Sequence, residues 1–205
     1  MRFYLRVMPA LSVLLLAGCS VLPEAQTATA YLLPSVAQAP SAGPPVDWAL
    51  RVVTPQSSQV LDSRRIAVLP QANQISSYKG ARWSDPAPAL LRDRLLDALR
   101  ADGRVPALSS DARPLYADLW LVSDLRAFQA EYQGGTVQVV IQLEARLVRS
   151  SGQHIVASRR FAVRQAVEGT QVAQVVEAFG LASDQLAVQL VDWAVAQGQA
   201  SIRLR

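Results

Sequence analysis

The chain has 205 residues, with 20 basic residues against 16 acidic ones, a single histidine and a single cysteine. One cysteine excludes an intrachain disulfide, and one histidine with one cysteine cannot build a zinc site. The formal charge of +4 falls to +2 once residues 1–18, with Arg2 and Arg6, are set aside, and the remaining arginines form only short separate pairs (Arg64-Arg65, Arg159-Arg160) without interleaved aromatics, which excludes a nucleic-acid-binding stripe.

Arg2 and Arg6 precede an apolar run from Leu11 to Leu16, broken only by Ser12 and followed by Ala17-Gly18-Cys19. A basic start, an apolar centre and small residues at a cleavage point are the layout of a secretory signal. The run is too short to span a bilayer, which takes about 20 apolar residues. A cysteine directly after Leu16-Ala17-Gly18 resembles the lipobox of bacterial lipoproteins. That resemblance implies lipidation at Cys19: the thiol takes a diacylglyceryl group, residues 1–18 are cut away as signal peptide, and the new amine is acylated, with palmitate as the expected kind of chain. One acyl chain anchors only marginally at about 0.8 kcal/mol per methylene, so the several chains of this pattern are what would hold the protein. Ser20 stands where an aspartate would resemble an inner-membrane retention signal. The expected address is therefore the outer membrane of a Gram-negative cell, lipid-anchored and facing the periplasm. No cofactor beyond the covalent lipid is expected.

Residues 19–45 hold Pro23, Pro34, Pro40, Pro44 and Pro45 among Ala, Ser, Thr and Gln, the composition of a flexible tether. One apolar island, Ala30-Tyr31-Leu32-Leu33, suits a short strand docked on the body. Residues 46–205 read as one domain. Trp48, Leu50 and Val52 alternate with Asp47 and Arg51, a strand pattern ended by Thr54-Pro55. Arg65 to Leu69 is a second strand, stopped by Pro70. Residues 71–84 read as a polar loop that carries Tyr78 and Trp83. Asp85 as N-cap and Pro86 as first helical residue open a helix with Leu91, Leu95, Leu96 and Leu99 on one stripe and Gly103 at its end. A short strand is expected near Val105–Leu108.

Three long strands follow, Tyr116–Phe128, Thr136–Val148 and Ile155–Val167, with turns at Gly134-Gly135 and Ser150–Gln153. Their alternation (Val137, Val139, Ile141, Leu143 against Gln138, Gln142, Glu144, Arg146) marks a meander with one wet face. A last helix from Thr170 carries Val172, Val175, Val176, Phe179, Ala182, Leu186, Leu190 and Trp193 on one stripe. Gly180 interrupts that stripe with a residue that weakens helices. The expected class is α+β: one mostly antiparallel sheet with two helices packed on one face.

Catalytic chemistry has little to stand on. His154 falls at a hairpin turn, Asp93 and Asp97 share a helix face with Arg92, Arg94 and Arg100, and neither a Gly-x-Ser-x-Gly elbow nor a Gly-rich phosphate loop occurs. No catalytic or metal-binding residue is assigned, and any energy must come from a partner. The segment Tyr78–Pro86 has two readings. In one, Trp83 folds back on the helix it precedes; in the other, its aromatics and arginine contact a partner or lipid. Trp120 poses the same question for its strand.

Taken in order, lipobox Cys19, Tyr31-Leu32-Leu33-Pro34, Ile66-Ala67-Val68-Leu69-Pro70, Tyr78 and Trp83 before Asp85-Pro86, a Leu-rich helix, a strand ending near Phe128 and a long last helix resemble the ABC-type transport auxiliary lipoproteins, the PqiC-like group. The resemblance implies a non-catalytic outer-membrane component that docks an MCE protein and works with an ABC permease and ATPase in moving lipid between membranes. It makes Tyr31, Tyr78, Arg82 and Trp83 candidates for partner or lipid contact. A structural or assembly lipoprotein that stabilises another outer-membrane complex is the alternative, and exposed sheet edges leave homo-oligomerisation open.

Overall fold

The computed structural model describes residues 28–37 and 39–203. Cys19, the signal segment and the first part of the expected tether lie outside the described residues.

The alternating stretches form three long strands, β7 (Leu119–Gln133), β8 (Thr136–Arg149) and β9 (His154–Ala166), paired antiparallel. Gly134 and Gly135, at φ 58° and 82°, turn β7 into β8, the positive φ angles that a tight hairpin demands and glycine supplies without strain. The other edge of β7 is divided among three short parallel partners. Leu50 of β2 (Leu50–Val52) lies opposite Leu119, Gln56 of β3 (Gln56–Ser57) opposite Asp124, and Val68 of β4 (Arg65–Gln71) opposite Ala130. Beyond β2 lies β6 (Leu108–Ser110); beyond β4 come β5 (Gln74–Trp83) and the edge strand β1 (Thr29–Tyr31). The whole is one nine-stranded, mostly antiparallel sheet by extent of pairing.

Two helices cover its dry face, α1 (Ala87–Asp102) and α2 (Val172–Arg203). The apolar stripe of α2 is buried as the spacing predicts, including Val175, Phe179, Leu186, Leu190 and Trp193. Thirty-two residues at about 1.5 Å each reach along the meander. The centre of the core is aromatic: Trp83, Phe128 and Phe179 meet with ring centroids 4.7–6.0 Å apart, and Phe161 meets Trp193 edge-on at 5.7 Å. Gly198 gives Trp48 its place, since a β-carbon there would collide with the indole ring.

Four local expectations change. Residues 74–83 are a strand rather than a polar loop; a register shift against β4 between the Arg65–Arg82 and Ala67–Ser77 pairs, with Gly80 at φ 69°, breaks the alternation that would have revealed it. Strand β4 runs through Pro70, which falls where its pairing with β5 shifts register and a backbone N–H is not needed. Pro86 is the N-cap of α1, with no side-chain hydrogen bond capping it, and Asp85 instead lies 3.7 Å from Arg64. The short strand expected near Val105 forms three residues later, at Leu108–Ser110.

The apolar island of the N-terminal segment docks as expected and takes its neighbours with it. β1 runs parallel to β5, and the Ser84 N–H donates to the Tyr31 carbonyl at 2.8 Å. The chain then crosses both helices at a clamp. Arg94 of α1 donates to the carbonyls of Leu33 (3.1 Å) and Pro34 and lies 3.1 Å from Asp184 of α2. Asp184 in turn accepts the Val36 N–H at 2.9 Å. Gly180 makes the crossing close: a β-carbon there would stand 2.9 Å from the Pro34 carbonyl oxygen. The helix continues through Gly180 because its neighbours supply the packing that its propensity lacks. Further on, the Ser41 N–H reaches the Asp102 carbonyl and the Val46 N–H the Arg104 carbonyl. The described residues before position 46 are thus laid against the body.

Phe179→Ala should lower stability by about 3–5 kcal/mol, because it opens a cavity between Trp83 and Phe128; urea unfolding followed by tryptophan fluorescence measures it. Arg94→Ala leaves Asp184 as a largely buried charge without its cation, so a loss of about 3 kcal/mol is expected. The same variant should speed amide exchange at Val36 and proteolysis within residues 31–37 well before the core opens. Equal protection in variant and parent would show that the clamp does not hold the segment.

Candidate docking surfaces

Of the residues singled out in the sequence, four meet at one corner of the sheet, where β1, β5 and β4 lie side by side, but they face opposite ways. Trp83 is completely buried between Phe128 and Phe179, so its expected role in partner or lipid contact is corrected to a core role. The register shift at Gly80 turns its indole inward. Tyr31 is half-buried against the same core. The Tyr78 hydroxyl stands 3.5 Å from that of Tyr132, and its phenol is held above the ordinary range, first by burial and then by the Tyr132 hydroxyl. Arg82 is partly exposed, on the other side of the strand from Trp83. Cys19 lies outside the described residues.

A second surface emerges only from strand register. On the face of the meander away from the helices, Glu144 of β8 accepts from Arg160 of β9 at 2.5 Å and from Arg126 of β7 at 3.0 Å. Those two hydrogen bonds, Arg160 first, hold the Glu144 carboxyl below its ordinary range. Arg146 donates to Asp124 at 2.5 Å, and Arg164 lies 3.6 Å from Glu131. Asp124 and Glu144 stand directly opposite one another. Like charges in that position repel, and the intervening guanidinium groups of Arg126 and Arg146 offset the repulsion. Towards one end the face turns apolar: Trp120 lies opposite Val148, Arg51 stacks 5.1 Å from the Trp120 ring centroid, and Ile155 and Tyr116 are exposed. Alternation in the sequence marks these side chains as outward, but which of them touch depends on how three strands align.

Among the described residues, the side chains weighed in the sequence for catalysis do not come together. His154 is exposed at the first residue of β9, and among the described residues no group of three or more His, Cys, Asp or Glu side chains is placed to hold a metal. No helix of the described residues is long and apolar enough to cross a membrane. What the fold presents is broad surface on a rigid sheet, with the N-terminal segment locked to the side of the body.

Comparison with known proteins agrees with this architecture. A crystal structure of protein XCC0632 from Xanthomonas campestris superposes with a TM-score of 0.81 at 33% identity, over 86% of this chain and 99% of that one. A second solved structure, of an uncharacterised protein, shares the fold at 18% identity and a TM-score of 0.64, over 81% of this chain and 97% of that one. An uncharacterised protein of Bradyrhizobium diazoefficiens is 29% identical over 149 residues, which is 72% of this chain and 39% of that protein. The chain thus corresponds to well under half the length of that relative. The family described as the ABC-type transport auxiliary lipoprotein component matches residues 31–191. That match begins at the last residue of β1 and ends within α2, so it takes in the docked segment, strands β2 to β9, α1 and the first part of α2, and the chain belongs to the ABC-type transport auxiliary lipoprotein family.

Proposed function

We propose that the protein is a non-catalytic docking component, anchored by lipid on Cys19 in the outer membrane and facing the periplasm. It works with an ABC permease and ATPase and with an MCE protein in moving lipid between membranes. The observation that carries this reading is the family match across residues 31–191, joined to the lipobox-like Leu16-Ala17-Gly18-Cys19. The geometry supports it in two ways. The clamp at Arg94 and Asp184 fixes the N-terminal segment to the body, so an anchor at Cys19 would restrain the orientation of the body as well as its distance from the membrane. The open face of the meander then offers a surface of paired charges and a Trp120 anchor, the mixture that specific, reversible docking uses.

Cys19→Ala should leave the fold unchanged and move the protein out of the outer-membrane fraction; urea unfolding and membrane fractionation at high salt read the two effects. From detergent extracts at native expression the acylated protein should bring down MCE and permease components. Replacing Arg126 and Arg160 by Glu should reduce that recovery at least tenfold; because the new acids stand beside Glu144 and Asp124 and also lower stability, recovery is compared at a temperature where circular dichroism shows the variant folded. Recovery of no transport component by the unaltered protein would overturn the reading.

A further inference from the structure

We infer that the corner formed by β1, β4 and β5 is a headgroup-binding surface that rests on anionic phospholipid. Arg65 and Arg82 stand directly opposite each other in the β4–β5 pair. Like charges facing across two strands weaken the pairing, and here no carboxylate relieves them: neither arginine has an ion-pair partner among the described residues, while Asp85 is engaged by Arg64 at 3.7 Å. Asp62, the other acid close by in the chain, is exposed on the turn before β4. Lys79, the one lysine of the chain, is exposed in the irregular stretch of β5 just before Gly80. Arg65 and Arg82 thus share one corner at a cost to the fold, and Lys79 lies exposed three residues before Arg82 on the same strand. On the open face, by contrast, Arg126, Arg146, Arg160 and Arg164 each have an acidic partner.

The chain itself favours lipid over an acidic protein as the occupant. Thr29 pairs with Ala81 and Ala30 with Arg82, so the N-terminal segment enters the fold beside Gly80 and Lys79. Cys19 is nine residues before Ala28, and a fully extended chain covers at most about 3.3–3.6 Å per residue. An anchor at Cys19 therefore cannot lie more than about 32 Å from Ala28, or about 40 Å from Ala30 beside Arg82, and the clamp prevents the body from swinging away on a longer leash. Leu32, the first residue after β1, is 76% exposed and supplies an apolar side chain at the same corner. Each cation near an anionic surface adds attraction that fades within a Debye length. The inference rests on the lipid-anchor reading for its geometry, and it is tested without the anchor.

The test uses the full mature chain, residues 19–205, with Cys19→Ser, in flotation with vesicles of phosphatidylethanolamine and phosphatidylglycerol and with vesicles of phosphatidylcholine. Binding to the phosphatidylglycerol vesicles is expected, falling as salt is raised, with at least tenfold weaker binding to phosphatidylcholine. Lys79→Glu/Arg82→Glu puts an acid opposite Arg65, so strand pairing is not endangered, and it should reduce phosphatidylglycerol binding at least tenfold. The charge-matched control Arg113→Glu/Arg203→Glu, at exposed positions elsewhere, should stay within twofold of the parent. Absence of binding to either vesicle, equal binding to both, or a double variant that binds like the parent would each overturn the inference. So would loss of MCE recovery in Lys79→Glu/Arg82→Glu with vesicle binding unchanged, which would assign the corner to a protein. Metabolic palmitate labelling of the unaltered chain decides the anchor separately, so a failure at Cys19 and a failure of this surface give different results.

Discussion

The fold depends on one strand with both edges occupied along its length. Strand β7 gives one edge to β8 from Leu119 through Gln133 and divides the other among β2, β3 and β4. Its inward side chains, Leu119, Leu121, Leu125 and Phe128, are all buried. A one-residue slip would move this set to solvent, so the register of β7 sets that of the partners on both edges. It also fixes where the two short arms of the sheet diverge: β2 and β6 leave from its beginning, β4, β5 and β1 from its end. Because Val68 of β4 lies opposite Ala130, Arg65 and Arg82 stand level with about the middle of β7 and one strand or more to its side, whereas Trp120 lies near its beginning.

The N-terminal segment is built into this frame at a small number of places. Arg94 takes two carbonyls that would otherwise lie unpaired against the helices, and Asp184 takes an N–H. The two charges stand 3.1 Å apart, although Asp184 Oδ1 lacks an aligned hydrogen bond. The contact is Coulombic in a largely buried setting, where removing one charge matters more than the pair contributes as a whole. Gly180 belongs to the same device. In an isolated helix it costs about 1 kcal/mol relative to alanine; here it lets the Pro34 backbone reach the helix surface, and the contacts of residues 33–36 depend on that approach.

These two features separate what the sequence discloses from what it hides. Period-two alternation in β7, β8 and β9 and the stripe of α2 are repeated signals over a dozen or more residues, and they give the meander, its wet face and the long helix; β8 and β9 fall where expected to within a residue, whereas β7 runs Leu119–Gln133 against an expected Tyr116–Phe128. Strand β5 is hidden because its pairing jumps at Gly80: Tyr78 and Trp83 then look like aromatics in a polar loop, although Trp83 is the centre of the core. Pro70 resembles a stop signal because chain order does not show that its position in the ladder needs no donor. Gly180 reads as a weakness because its compensating contact comes from residues almost 150 positions away in the chain. The charge pairs of the open face fall in the same class, since composition shows the arginines and acids but only the register between strands joins Glu144 to Arg126 and Arg160.

That pairing also bears on how a long exposed sheet stays soluble. Strand β9 is an edge of thirteen residues, and such an edge offers unpaired backbone groups to any passing strand. Arg159, Arg160 and Arg164 on β9 make indiscriminate pairing unfavourable, since another copy of the same edge would bring arginine near arginine. Charge alone would repel every partner equally. Because Glu144 and Glu131 already engage Arg160 and Arg164, a surface that docks on the meander must match a fixed alternation of sign instead of a single net charge. The alternation of charge on this face follows from the same register that β7 imposes on the core.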